Sequence, residues 1–158
     1  MQQYSLDNIL IIDEIPAIAL GLQEIFRSVR RGVRVEHVDN IFTALSSPRF
    51  EKKTFDLIIL GSCPEDPSRN LPPSIAELKG KFGNSRIMIY TTLYDYELIE
   101  KMEQLDIDAV VHKFESIEEV RTIYLQLSAG ESCISDILYT LFFKYQLDKL
   151  TTRSKKED

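Results

Sequence analysis

Residues 8–13 have the sequence NILIID, in which four aliphatic residues, Ile9 to Ile12, are followed by Asp13. A continuous apolar run of this length is too short for a helix and is typical of a strand that is buried on both faces of a parallel sheet. Three later runs have the same character: Phe55 to Leu60, Arg86 to Tyr90 and Ala109 to Val111. The segment from Val33 to Val38 alternates apolar with polar residues, which predicts an edge strand with one exposed face.

Longer amphipathic segments separate the predicted strands. Apolar residues at helical spacing predict five helices, which begin near Pro16, Ile41, Leu71, Tyr96 and Ile117. The fourth helix is expected to reach Leu105, and the fifth to end at Gly130. Strands that alternate with helices need right-handed crossover connections. The predicted fold is therefore a flavodoxin-like α/β fold, doubly wound, with five parallel strands in the order 2-1-3-4-5.

The pattern changes after Gly130. Apolar residues from Ile134 to Tyr145 predict one more helix, which is apolar around much of its circumference and should pack against its own domain or a partner. We therefore expect a domain over residues 1–130, a C-terminal helix over 131–148, and a charged tail or linker over 149–158.

Composition narrows the classes of function. The chain has 158 residues, and 25 acidic against 19 basic side chains give a net charge of −6. Such a chain can form one domain without disulfides or a structural metal, and its charge disfavours nucleic-acid binding. The two cysteines, Cys63 and Cys133, are far apart and outside any CxxC motif, which favours a reducing compartment. With neither a secretion signal nor a membrane-spanning run in the sequence, we expect a cytoplasmic protein without membrane contact.

Polar residues cluster where the predicted strands end. Asp13 and Glu14 follow the first strand, Cys63 lies just after the third, Thr91 follows the fourth, and Lys113 follows the fifth. In an open parallel sheet, ligands bind at the carboxyl ends of the strands. Carboxylates suit Mg²⁺, while a hydroxyl and an ammonium group suit phosphoryl oxygens. These residues predict a phosphoryl and Mg²⁺ site, and a nucleotide is disfavoured because the sequence has no glycine-rich phosphate loop.

Four motifs in this order resemble the receiver domain of two-component response regulators (CheY-like): ILIIDEIP (9–16), FDLIIL (55–60), IMIYTT (87–92) and VVHK (110–113). The resemblance runs from about Asn8 to Ser135. LSAGESCIS (127–135) and LTTRSKKE (150–157) further resemble the LuxR/NarL-type class, in which a helix-turn-helix domain follows the receiver. The resemblance thus implies DNA contact only through a C-terminal domain that lies outside this sequence.

The sequence departs from the family at two functional positions. The aspartate that accepts the phosphoryl group in the family is replaced by Gly61, which has no oxygen nucleophile. The aromatic switch residue of the family is replaced by Val110. The family reaction therefore cannot occur at residue 61, and we expect a protein that is not an enzyme.

The resemblance also assigns the remaining site residues. Thr91 and Lys113 would form the remnant of the phosphate site, and Mg²⁺ would be bound by Asp13, Glu14 and the backbone carbonyl of Cys63. With the acceptor aspartate lost, we predict weak or absent Mg²⁺ binding and no other cofactor. Simpler interpretations remain open: the acidic pair could be a polar strand end before a helix, and the lysine a solvated surface residue.

The family commonly forms dimers through its fourth helix, fifth strand and fifth helix, so the resemblance implies that this face contacts a protein partner or a second copy. The predicted contact residues are Asp95, Tyr96, Ile99, Met102, Val111, Ile117 and Val120. The leading hypothesis is a degenerate receiver that signals independently of phosphorylation, as the regulatory half of a transcriptional regulator. The alternative is a small-ligand binder or α/β enzyme that uses the space left by Gly61, although no nucleophile and base pair supports catalysis.

Overall fold

Six parallel strands form one sheet in the computed structural model, which describes residues 3–61 and 71–155. The strands are β1 (Asn8–Ile12), β2 (Arg34–Val38), β3 (Leu57–Gly61), β4 (Arg86–Thr91), β5 (Ala109–His112) and β6 (Cys133–Ile134). Their order is β2-β1-β3-β4-β5-β6. The predicted flavodoxin-like order 2-1-3-4-5 is confirmed, and the two-residue strand β6 extends the sheet beside β5.

The described part of the chain contains six α-helices, which connect or follow these strands: α1 (Pro16–Val29), α2 (Ile41–Ser46), α3 (Leu71–Phe82), α4 (Tyr96–Glu100), α5 (Ile117–Ser128) and α6 (Asp136–Ser154). Their boundaries follow local chemistry. Proline occupies the first turn of α1, where its missing N–H costs nothing. The side chain of Ser116 caps α5 by accepting a hydrogen bond from the Glu119 N–H, and Gly130 follows that helix with a φ of 83°.

Each face of the sheet carries its own apolar layer. On one face, α1 and α5 pack together through the stacked rings of Phe26 and Tyr124, whose centroids are 5.0 Å apart. On the other face, α2, α3, α4 and α6 cover a cluster that contains Phe50, Phe55 and Phe82. The central strands are therefore buried on both sides, which is why their sequences are continuously apolar.

Helix α4 is shorter than the sequence predicts. It ends at Glu100 rather than near Leu105, and residues 101–106 form successive turns. Met102 is still buried, and its carbonyl accepts a hydrogen bond from the Ile107 N–H. The apolar spacing continues through these turns because the same side chains enter the core, and periodicity alone does not distinguish the two structures.

The bounds of the C-terminal helix also differ from the predicted helix over 131–148 and tail over 149–158. Helix α6 continues to Ser154, so most of the predicted tail is helical, and Lys149 in that segment forms an ion pair with Glu100. The segment has no glycine or proline to end the helix earlier. Leu138 is fully buried in the core, so α6 packs against its own domain. Across residues 3–61 and 71–155, no helix is long and apolar enough to cross a membrane.

Candidate functional site

Asp13 and Lys113 meet at the carboxyl end of the sheet. Asp13 follows β1 and Lys113 follows β5, and Nζ of Lys113 donates a hydrogen bond to Oδ2 of Asp13 at 2.7 Å. The two side chains are only 4% and 10% exposed. Oδ1 of Asp13 accepts a second hydrogen bond, from the Ile15 N–H at 2.9 Å. Both carboxylate oxygens are thus satisfied, as a buried charge requires.

Gly61, the last residue of β3, lies directly beside this ion pair. A Cβ atom on Gly61 would lie 2.0 Å from Oδ2 and 2.6 Å from Cγ of Asp13. Atoms that are not bonded cannot approach so closely, so any side chain at position 61 would force Asp13 away from Lys113. The carboxylate of Asp13 therefore fills the space where the first atom of the family's acceptor side chain would be.

Thr91 and Tyr90 lie beside Lys113. Thr91 is buried, its Oγ1 accepts the Leu93 N–H at 2.9 Å, and its backbone carbonyl accepts the Lys113 N–H at 2.8 Å. The ring of Tyr90 lies 5.8 Å from Nζ of Lys113. Burial raises the pKa of Tyr90, and the negative charges of Asp13 and Glu115 raise it further. The predicted remnant of a phosphate site is thus a closely packed set of residues built around an ion pair.

The described residues do not fit the Mg²⁺ ion that the resemblance implies. Both oxygens of Asp13 already accept hydrogen bonds, and Glu14 is exposed. Within the two described ranges, no group of three or more acidic, histidine or cysteine side chains could hold a metal ion. Cys63, whose carbonyl was the third predicted ligand, lies outside the described residues. Weak or absent Mg²⁺ binding stays a prediction.

His112 is an element of the site that the sequence did not reveal. Val110, which the resemblance places at the switch position, is buried in the apolar layer that α4 and α6 help to cover, and His112 lies two residues further along β5. The imidazole is fully buried and stacks on Tyr94 with centroids 4.9 Å apart. Its Nδ1 accepts the Phe114 N–H at 3.1 Å. The stacked rings of His112 and Tyr94 thus lie near Val110. Tyr94 belongs to the loop before α4, and the apolar periodicity of the sequence does not predict where that loop places its side chains.

The predicted interaction face is wrong for four of its seven residues. Ile99, Met102, Val111 and Val120 are buried in the two apolar layers and cannot contact a partner. Their apolar spacing marks the inward side of each element, whereas a contact surface consists of outward side chains.

The other three residues of that face have different surroundings. Tyr96 is stacked on Tyr145 of α6 at 4.6 Å, and Asp95 caps α4 by accepting the Leu98 N–H. Ile117 is exposed. Helix α6 therefore already covers part of the surface that the resemblance assigns to a partner.

The fold is similar to solved response-regulator structures. A LuxR family DNA-binding response regulator from Silicibacter pomeroyi is 21% identical, with a TM-score of 0.64 over 82% of this chain and 95% of that chain. The isolated REC domain of RcsB from Salmonella enterica serovar Typhimurium, solved with the phosphomimetic BeF₃⁻, is 18% identical, with a TM-score of 0.67 over 87% of this chain and 99% of that one. An RcsB response regulator from Salmonella typhimurium has a TM-score of 0.71 at 18% identity, over 92% of this chain and 68% of that chain.

No protein-family model and no curated protein sequence matches the chain. At these identities the structural similarity establishes the fold, which is that of a response-regulator receiver domain.

Proposed function

We propose that this chain is a degenerate receiver domain that signals through protein contacts and accepts no phosphoryl group. One observation carries the proposal: the carboxylate of Asp13 fills the acceptor's space beside Gly61 and forms a buried ion pair with Lys113. The likeness to LuxR-family structures supports a place in the cytoplasm as the regulatory half of a transcriptional regulator. DNA contact would then belong to a further domain, since this chain carries a net charge of −6.

Phosphoryl transfer to a receiver needs an oxygen nucleophile, a cation to neutralise the phosphoryl charge, and space for the group. Gly61 supplies no nucleophile. Asp13 is a carboxylate in the right region, but its Oδ2 is held by Lys113 and its Oδ1 by the Ile15 N–H. The family reaction would use that same carboxylate as a metal ligand, so Asp13 cannot serve as both nucleophile and ligand. The ammonium group of Lys113 is likewise engaged.

The ion pair also explains how the domain could hold one conformation without a phosphoryl group. Asp13 follows the first strand and Lys113 the fifth, 100 positions later in the chain, and their hydrogen bond ties the two loops together. In this proposal the signal enters and leaves through the binding of proteins, and the former reaction site is a structural connection.

The alternative of a ligand binder or enzyme in the space left by Gly61 loses its main support. That hypothesis needs room for a ligand atom beside Lys113, and the carboxylate of Asp13 occupies that room. A ligand would have to break a buried ion pair before it could bind, which costs several kcal/mol.

Intact-mass spectrometry tests the proposal. The full chain is incubated with a small phosphodonor and Mg²⁺, next to a receiver domain that retains its acceptor aspartate. The mass of this chain is expected to stay unchanged while the control gains one phosphoryl group. A stoichiometric adduct on Asp13, or on any serine near residue 61, would overturn the proposal.

A further inference from the structure

Helix α6 carries two apolar faces, of which only one is covered. The first face packs on the domain through buried Leu138 and through Phe142 and Tyr145, which lie against Tyr96. The second face, here called the α6 stripe, consists of Tyr139, Phe143, Leu147 and Leu150. These four side chains are 59%, 57%, 49% and 63% exposed.

The α6 stripe is one continuous line. Its members follow one another at steps of four, four and three residues, which places them on one side of a helix. The line spans about 16 Å at the rise of an α-helix. Other exposed apolar residues, such as Leu20 on α1 and Phe42 on α2, lie on separate elements. Single exposed apolar residues need no explanation, whereas a contiguous stripe marks an interaction surface.

We propose that the α6 stripe is a homodimer contact, in which α6 of a second copy packs antiparallel on the same surface. This dimer rests on the proposed function, in which protein contacts carry the signal, and it supplies the partner. The stripe matches itself under a two-fold axis near residue 145. That axis pairs Tyr139 with Leu150 of the second copy, and Phe143 with Leu147, so every apolar side chain has an apolar partner.

The charges at the two ends of α6 favour the antiparallel direction. The same axis places Asp136, in the first turn, opposite Arg153 of the second copy, in the last turn. Both residues are exposed. A parallel pair would instead align Asp136 with Asp136 and Arg153 with Arg153, and like charges in contact disfavour that arrangement. Antiparallel helices also bring opposite ends of their dipoles together.

A groove beside the stripe extends this complementarity. Tyr139 borders it, and its walls include exposed Glu103 together with Asp106 and Asp108, which already form ion pairs with Lys79 and Arg86. The opposite end of α6 is basic, with Arg153 followed by Lys155. In the antiparallel dimer, the basic end of each helix approaches Glu103 and Asp136 of the other copy, so binding should weaken as salt is added.

The contact is small, so the dimer should be weak. Four large side chains per copy are fewer than the roughly 20–30 residues per side of a standard interface. We expect dissociation in the micromolar range, which makes the oligomeric state depend on concentration within an accessible window.

Sedimentation equilibrium of the full chain, from about 1 to 200 µM, tests this interface. The weight-average mass is expected to rise from 18.3 kDa toward twice that value. Phe143→Glu and Leu147→Glu should each remove the rise. Leu125→Glu, which introduces the same charge on an exposed leucine of α5, is the matched control and should leave the rise unchanged. Circular dichroism verifies that each variant is folded.

Charge reversal tests the antiparallel direction. Asp136→Arg and Arg153→Asp should each weaken dimerisation by about tenfold, and an equimolar mixture of the two variants should recover it, because each end then faces an opposite charge. A single reversal that leaves dimerisation unchanged contradicts this geometry. A mass of 18.3 kDa at every concentration, or a dimer lost in Ile117→Glu but retained in Leu147→Glu, overturns the α6 interface. Neither of these last two results affects the proposed function, because the phosphodonor experiment measures phosphoryl transfer and does not depend on dimerisation.

Discussion

Gly61 is required by the close approach of a neighbouring side chain. Asp13 lies where the Cβ of any other residue would be. At Gly21, Gly32 and Gly80, by contrast, an added Cβ would meet no atom within 4 Å. The absence of a side chain at residue 61 is therefore what permits the buried pair between Asp13 and Lys113.

Substitution of Gly61 by alanine tests this requirement. Gly61→Ala should lower the free energy of unfolding by about 1–3 kcal/mol, because the new methyl group pushes Asp13 off Lys113. Urea denaturation measures the change. The control is Gly80→Ala in the interior of α3, where the methyl group has room and should add about 0.5–1 kcal/mol. A Gly61→Ala variant as stable as the unmodified protein would show that Asp13 does not depend on the glycine.

The ion pair itself can be tested by a double-mutant cycle. Lys113→Met leaves the buried Asp13 carboxylate without its cation and should cost about 3–5 kcal/mol of stability. Combining it with Asp13→Asn removes the unpaired charge, so the double variant should lose clearly less than the sum of the two single losses. Chemical denaturation of all four proteins gives the coupling energy, and strictly additive losses would contradict a direct interaction.

Cys133 should be an unreactive thiol. Burial raises the pKa of the Cys133 thiol from 9.0 to about 12, although the nearby positive charge of Arg86 acts to lower it. The reactive thiolate is therefore rare at pH 8. The stability that the neutral thiol contributes is present below pH 9 and is lost as the pH rises toward 12. Alkylation by iodoacetamide at pH 8, followed by peptide mapping, should label Cys133 far more slowly in the folded than in the unfolded chain. Equal rates would contradict this burial.

Among the secondary-structure elements, the sequence predicts the strands better than the helices around the site. The runs at β1, β3 and β4 are continuously apolar because each is covered on both faces, and their short length favours a strand over a helix. The end of α4 is set by packing, since turns replace its last part while its apolar side chains remain buried. Helix α6 instead runs on through exposed residues, because its sequence has no glycine or proline. In α6, apolar residues lie around most of the helix, so the sequence alone does not show which side packs on the domain and which side is exposed.

The two faces of α6 should respond differently to truncation. Leu138→Ala removes a fully buried side chain and should cost about 2–5 kcal/mol. Leu147→Ala truncates an exposed side chain and should change the stability of the monomer by less than about 0.5 kcal/mol. Thermal unfolding at a protein concentration of about 1 µM compares the two variants. Equal losses would mean that the register of α6 on the domain differs from the one described.

Across the whole molecule, the topology brings the site residues together, and their detailed contacts depend on tertiary packing. The carboxyl ends of parallel strands share one edge, so the sequence predicts that Asp13, Thr91 and Lys113 converge there. Their direct ion pair could not be predicted, because it depends on the side-chain direction that Asp13 adopts when residue 61 has no side chain. The same limit applies to His112 and Tyr94, which are brought together by a loop.

Binding of beryllofluoride tests directly whether Asp13 and Lys113 have closed the phosphoryl site. Two-dimensional ¹H–¹⁵N spectra of the full chain are recorded with and without Mg²⁺ and BeF₃⁻, next to the RcsB REC domain, which was solved in the presence of this phosphomimetic. The amide signals of Asp13, Gly61, Thr91 and Lys113 should not move, while signals from the phosphoryl site of the control domain should. Saturable shifts at these four residues would show that the site still accepts a phosphoryl mimic, so that Asp13 and Lys113 do not close it.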